Sequence, residues 1–147
     1  MTRHKRLEQL NRMVPGTLME TLGIRYTDSG EGFLEATMPV DSRHLQPMQI
    51  LHGGATAALA ESVASAASAA ALHGTGRHPV GLDLGINHLR GVRGGVLTAR
   101  AEAVHLGRST HLWQIRMTDE DDRLVALGKL TLMVLEGSSG QRPETED

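Results

Sequence analysis

One carboxylate stands alone in this sequence. Residues 51–74, LHGGATAALAESVASAASAAALHG, contain a single fixed charge, Glu61, although charged residues make up 22% of the chain; the nearest others are Arg43 and Arg77. Burying an ionised carboxylate costs several kcal/mol, and the usual escape is a raised pKa. Two uses fit such a group: a structural glutamate hydrogen-bonded across an interface, or a nucleophile or general base. Ahead of it stands His52-Gly53-Gly54, where the helix begins. A helix N-terminus presents unpaired N–H groups and partial positive charge, and glycine lets a ligand come close to that backbone. This arrangement suits polarising a carbonyl and holding the oxyanion that develops. A bare HGG also fits an ordinary turn; its pairing with Glu61 gives it chemical meaning. Eight residues of helix put Gly53 and Glu61 roughly 12 Å apart, at about 1.5 Å per residue. A two-fold dimer with antiparallel helices would bring Gly53 of one chain to Glu61 of the other, so the site is expected between subunits.

The surrounding elements follow from pattern. At about 100° per residue, Ala57, Glu61, Ser65, Ser68 and Leu72 share one stripe of the helix, with Leu59, Val63, Ala66 and Ala70 opposite. A helix without a charged face has no side that prefers water, so it is expected to be buried all round, with a sheet curled about it. Upstream, Leu7, Leu10 and Met13 predict a short amphipathic helix over residues 4–13, ended by Pro15-Gly16, and Thr17 to Leu22 form one further turn. GIRYTDSGEGFLEATMPV reads as a hairpin turning at Asp28 to Gly32, and DSRHLQPMQILHGG as a loop. Gly74, Thr75 and Gly76 stop the helix. Beyond it, Val80, Leu82, Leu84 and Ile86 alternate with Gly81, Asp83, Gly85 and Asn87. VLTARAEAVHL and THLWQIRMT have strand character, and a polar DEDD turn precedes RLVALGKLTLMVL. The order expected is two strands, a long helix, then three strands, joined antiparallel in an α+β domain. Residues 1–136 read as that single domain, and 137–147, GSSGQRPETED, as a disordered tail.

Composition excludes several classes. The chain has 147 residues and a formal net charge of −2, which makes no electrostatic case for nucleic acid or an anionic membrane. Without cysteine there is no disulfide, thiolate nucleophile or cysteine-ligated metal, which fits a cytoplasmic protein. Residues 53–72 are apolar enough to raise a membrane span, but three serines, a glutamate and alanine in place of leucine argue against one. Eight histidines show no three- or four-residue helical pairing, so no metal is expected. GTGRHPVG lacks the context of a dinucleotide fingerprint, no cofactor is expected, and no G-x-S-x-G marks a serine nucleophile.

The block MPVDSRHLQPMQILHGGATAALAES, with VGLDLGINHLRGVRGG and HLGRSTHLWQIRMTDEDDRLVALGKLTLMVL, resembles the hotdog-fold acyl-CoA thioesterases of the helix-glutamate branch, over roughly Leu22 to Leu135. These include the 4-hydroxybenzoyl-CoA, 1,4-dihydroxy-2-naphthoyl-CoA and phenylacetate-pathway enzymes. The resemblance implies a hotdog fold, an antiparallel sheet wrapped around one long central helix. It implies hydrolysis of an acyl-CoA, with an aromatic or medium-sized acyl group, to free acid and coenzyme A. Carried over by position, Glu61 matches the catalytic carboxylate, acting as nucleophile or general base, and Gly53 the glycine whose N–H polarises the thioester carbonyl. Gln46 and His52 match polar residues that orient thioester or water, Ser65 a hydroxyl near the reacting group, and His88 a residue reaching the acyl pocket. Met48 stands where relatives carry a bulky aromatic or variable side chain. Arg90, Arg93 and Arg108 fit either solvated surface charge or contacts to the coenzyme A phosphates. His88 also fits a satisfied core histidine. The resemblance further implies a homodimer with shared active sites, with dimers pairing into tetramers. Two other functions remain open on this fold: a hydratase or dehydratase of acyl thioesters, and a non-catalytic acyl-CoA-binding protein.

Overall fold

The computed structural model describes residues 1–137; the expected disordered tail lies, from residue 138, outside the described residues. Helix α1 (Arg3–Arg12) starts at Thr2, whose hydroxyl accepts from the Lys5 N–H, and α2 (Leu18–Leu22) follows the Pro15-Gly16 break. Strands β1 (Arg25–Gly30) and β2 (Phe33–Pro39) form the first hairpin, which turns at Glu31-Gly32, tighter than expected. A 3-10 turn (Ser42–His44) and a loop lead into the long helix α3 (Gly53–Ala71). Gly74 and Gly76 turn the chain with φ of 77° and 74°, a left-handed conformation that suits residues without a Cβ. Strands β3 (Arg77–His88), β4 (Val96–Leu106), β5 (Thr110–Thr118) and β6 (Leu124–Glu136) complete the chain.

Four strands follow the helix, not three. Gly107 to Ser109 close a tight turn, with the Gly107 N–H donating to the Thr110 carbonyl at 2.8 Å, so VLTARAEAVHL and THLWQIRMT are separate arms of a hairpin. Among the described residues six strands make one antiparallel sheet in the order β1-β2-β4-β5-β6-β3. This is the α+β, hotdog-like wrapping of a sheet about a helix. Period-two alternation sends Leu34, Ala36 and Met38 of β2, Leu97, Ala99 and Ala101 of β4, Trp113, Ile115 and Met117 of β5, and Leu130 and Leu132 of β6 into the core. They meet Thr56, Leu59, Ala60, Val63, Ala64, Ala67 and Ser68 of α3, whose small side chains let helix and sheet approach closely.

The helix is not buried all round within one chain. Ala57, Ala58, Glu61, Ser62, Ser65 and Ala66 are only partly covered and Ala69 is exposed, because the sheet wraps one side of α3 and leaves the other open. Ser68, on the Glu61 stripe by sequence, is instead fully buried; its Oγ accepts from Trp113 Nε1 at 2.6 Å and lies 3.1 Å from His111 Nδ1. Burial, then the nearby Arg77 and His105, hold the His111 pKa down.

The two edges of the sheet differ. Along β1, Asn11 of α1 plays the part of a neighbouring strand: its Nδ2 donates to the Tyr26 carbonyl at 2.9 Å and its Oδ1 accepts from the Tyr26 N–H at 3.0 Å. On the other edge β3 pairs with β6 from Arg77↔Glu136 to His88↔Ala126, and among the described residues no strand flanks its far side. Val80 and Leu82, 45% and 57% exposed, lie on that bare edge strand, Leu82 at its bulge.

Candidate active site

The start of α3 is built from the loop before it. Leu45 bridges Leu51, and the Gln46 N–H donates to the Ile50 carbonyl at 2.8 Å, which pinches the loop at its neck. Inside the loop Gln49 takes a left-handed φ of 63°, and the side-chain oxygen of Gln46 accepts from the Met48 N–H, leaving the Gln46 amide nitrogen as its remaining donor. Met48 projects from the tip, 76% exposed. His52 then caps the helix. Its Nδ1 accepts from the Gly54 N–H at 2.7 Å, and its carbonyl accepts from the Ala55 and Thr56 N–H groups at 3.0 and 3.3 Å. Among the described residues nothing accepts from the Gly53 N–H. That leaves one unpaired donor at the positive end of a nineteen-residue helix.

Gly53 opens onto a cleft of about 280 Å³ lined with Ile50, Leu51, Thr56, His88, Leu89 and Arg90 among others. The His88 imidazole packs over Gly53 so closely that a Cβ there would sit 3.2 Å from Cε1 and Nε2. His88 is therefore not a core histidine: it is exposed at the end of β3, beside the helix N-terminus. Thr56, almost fully buried in this lining, escaped the sequence reading, since a threonine in the first turn of a helix carries no distinct signal.

Glu61 lies elsewhere, two turns further down α3. It is partly buried, and burial alone raises its pKa above the ordinary value of 4.5. Its carboxylate packs against the backbone of Gly81 in β3, where an added Cβ would collide with Oε1 and stand 3.5 Å from Cδ. Gly81 was given no role in the sequence reading, although a glycine inside a strand pattern is the signal of such a close approach. Ser65 follows Glu61 by one turn, partly covered, on the open side of the helix.

The expected site residues thus fall into separate groups. Gly53, His88 and Arg90 share one cleft, with His52, Gln46 and Met48 on the adjoining cap and loop. Glu61 and Ser65 are roughly 12 Å and beyond along the helix, at about 1.5 Å per residue. Arg93 is exposed in the loop after β3. Arg108 sits in the β4–β5 turn, where its carbonyl accepts from Arg77 Nη1 at 3.3 Å, at the opposite end of β3 from His88. Among the described residues no three His, Asp or Glu side chains converge as a metal site requires, and no helix is long and apolar enough to cross a membrane.

Comparison with known proteins places the chain. The family model described as Thioesterase superfamily matches residues 48–126, a stretch that runs from Met48 past Gly53, Glu61 and His88. The chain is 43% identical over 129 residues to the 1,4-dihydroxy-2-naphthoyl-CoA hydrolase of Escherichia coli, covering 88% of this chain and 94% of that protein. It is 43% identical over 133 residues to the proofreading thioesterase EntH of Cronobacter turicensis, covering 90% and 96%. The solved structure of a thioesterase from Haemophilus influenzae matches with a TM-score of 0.87 at 43% identity, covering 92% of this chain and 94% of that one. With a six-stranded sheet about one helix and these relatives along most of its length, the chain is an enzyme belonging to the thioesterase superfamily.

Proposed function

We propose that this enzyme hydrolyses an acyl-CoA thioester at two equivalent sites shared between subunits, with Glu61 of one chain acting on a carbonyl held by Gly53 of the other. The observation that carries this reading is the separation on a single helix of an unpaired Gly53 N–H and a carboxylate whose pKa burial raises. Each lacks what the other supplies, and about 12 Å of rigid helix keeps them apart within one chain. The bare edge of β3 supports the way they meet. Antiparallel pairing of β3 with a second copy would continue the sheet, cover Val80 and Leu82, and set the open sides of the two α3 helices near each other. The same two-fold would carry Arg108 of the second copy towards His88 and Arg90, where a phosphate-bearing coenzyme A would need cations. Dimers of this kind then pair into tetramers. A chain without cysteine suits the reducing cytoplasm.

The chemistry follows from these placements. The Gly53 N–H, at a helix N-terminus, donates to the thioester oxygen and stabilises the negative charge that develops there. Glu61, ionised, either attacks the carbonyl carbon and expels the thiolate, giving a mixed anhydride that water then opens, or removes a proton from the attacking water. Either route consumes one water and yields a carboxylic acid and a thiol. Gln46, His52 and Ser65 orient thioester and water, while Met48 and His88 border the acyl group. The cleft beside Gly53 is lined mainly by aliphatic groups and glycine, with no Phe, Tyr or Trp, which suits an aromatic or medium-sized acyl group held by aliphatic walls. The named substrate of the Escherichia coli relative supports the aryl end of that range.

The test is a panel of aryl- and medium-chain acyl-CoA thioesters, with free acid and free thiol followed by mass spectrometry. Glu61→Gln is expected to lower kcat by orders of magnitude with KM little changed. Formation of both products at near wild-type rates by Glu61→Gln would remove Glu61 from the mechanism, and a hydrated or dehydrated thioester as sole product would replace hydrolysis with another reaction.

A further inference from the structure

We propose that His44 is a positioning residue for the N-terminus of α3, setting the direction of the Gly53 N–H without touching substrate. The inference rests on the reading of Gly53 as the group that polarises the carbonyl, and its evidence lies outside the cleft. The His44 side chain is 0% exposed and uses both ring nitrogens. Nε2 lies 2.7 Å from the Leu22 carbonyl, which can only accept, so this nitrogen carries the hydrogen. Nδ1 accepts from the Asp41 N–H at 3.1 Å. The same nitrogen lies 3.1 Å from Asp41 Oδ1, so Asp41 meets the ring with both its backbone and its side chain.

These contacts grip the chain on two sides. Leu22 ends α2, and its carbonyl is among the last carbonyls of that helix, which find no partner within it. Arg43, next to His44, takes the adjacent Thr21 carbonyl through Nη1 at 2.8 Å, so the end of α2 is fastened to the 3-10 turn by two consecutive side chains. The backbone of His44 carries the grip onward: its carbonyl accepts from the His52 N–H at 2.8 Å across the neck of the loop. Leu51 is held from the other side, its N–H donating to the Val92 carbonyl at 2.7 Å. His52 is the residue that caps α3. The path from the buried imidazole to the Gly53 amide therefore runs through hydrogen bonds and two short stretches of chain, with no flexible side chain in between.

Removing the imidazole leaves the Asp41 N–H and Leu22 carbonyl without these partners and frees the neck to shift. An apolar side chain of similar volume preserves the packing but not this constraint. The two roles are therefore separable. His44→Leu keeps bulk alone, His44→Asn keeps an acceptor for Asp41, and His44→Gln keeps a donor that can reach Leu22.

The experiment uses the full chain. Amide hydrogen exchange and ¹⁵N–¹H shifts of Gly53 and Gly54 are measured for each variant, together with the melting temperature and kcat and KM on an acyl-CoA that the parent hydrolyses. His44→Leu is expected to remain folded, to move both glycine amides, and to lose kcat by about tenfold to a hundredfold with KM within about threefold, the range that a misplacement near 1 Å produces. His44→Gln is expected to recover most of that loss. Unmoved Gly53 and Gly54 amides in a folded His44→Leu would overturn the proposal, as would equal losses in the Leu and Gln variants. Should His44→Leu not fold, a folded His44→Asn with parental kcat and unmoved amides would overturn it equally, because the Leu22 contact would then be dispensable. The amide readings need no substrate: shifted amides in a protein that cleaves no acyl-CoA support the positioning role and refute the proposed function.

Discussion

Gly81→Ala separates the pose of the Glu61 carboxylate from the stability of the fold. The added Cβ would overlap Glu61 Oε1, while its next neighbours, Glu61 Cδ at 3.5 Å and Leu130 Cδ1 at 4.0 Å, are at ordinary contact distance. The collision is thus with the far end of one flexible side chain, and Gly81 has no left-handed φ to strain. Replacing glycine by alanine inside a strand also removes backbone freedom from the unfolded chain, a gain of about 0.4–1 kcal/mol where the geometry permits. The fold should therefore melt within a few degrees of the parent. The carboxylate, however, must retreat by about 1 Å to regain van der Waals separation. A displacement of that size in a reacting group costs on the order of 10²-fold in rate, or about 2.7 kcal/mol of transition-state stabilisation. Thermal melting combined with kcat and KM on an acyl-CoA should show an intact fold, KM within a small factor and kcat down by roughly two orders of magnitude. A folded Gly81→Ala variant with parental kcat, alongside an inactive Glu61→Gln, would refute the reasoning, because the carboxylate would then work from a position other than the one against β3.

Other perturbations probe the same arrangement. Burial raises the Glu61 pKa, so between its ordinary value of 4.5 and the raised one the folded chain binds more protons than the unfolded chain, and stability falls as pH rises through the folded value. Glu61→Gln should consequently melt slightly higher than the parent near pH 8, with the difference closing near pH 4; a gap unchanged at both would assign the gain to packing instead. The proposed mechanism requires Glu61 ionised, so kcat should fall on an acid limb lying above 4.5 that survives both His52→Asn and His88→Asn. Loss of the limb in either variant would assign the essential ionisation to that imidazole. Mixing Glu61→Gln chains with Gln46→Ala chains should restore one intact site per heterodimer, about a quarter of parental activity at equal amounts. Proven subunit exchange without recovery would place both groups in one chain's site. Leu82→Lys puts a charge on the bare edge of β3 and should shift the protein to monomers by light scattering, with loss of turnover; an active dimer of this variant would move the interface elsewhere.

Much of this enzyme was legible in residue order because the signals are local. Isolation of Glu61 among small apolar residues marks a carboxylate withheld from water, and His52-Gly53-Gly54 before it marks a helix start. Their spacing implied separation, since helix rise is a constant of backbone geometry. Alternation of Val80, Leu82, Leu84 and Ile86 marked β3 as a strand because side-chain direction follows a two-residue period, while the bulge at Leu82 and the exposure of Val80 and Leu82 were not visible in it. What residue order left open depends on contacts between distant segments. Nothing local says that Asn11 seals the β1 edge, or that the strand after the helix crosses to the far side of the sheet and lies at its edge beside β6. Burial of α3 was overestimated because a helix of alanine and serine looks the same from every side, while the sheet covers only one. The role of His44 was hidden because its partners, Leu22 and Asp41, meet it only when α2 and the loop are packed together. Arg90 and Arg108 both looked like cations at strand ends, and only the packing of the β4–β5 turn against Arg77 sets them near opposite ends of β3. Patterning determines which face of each element seeks cover. Which segment provides that cover is settled by long-range pairing, and with it the pressing of Glu61 against Gly81 and of His88 against Gly53.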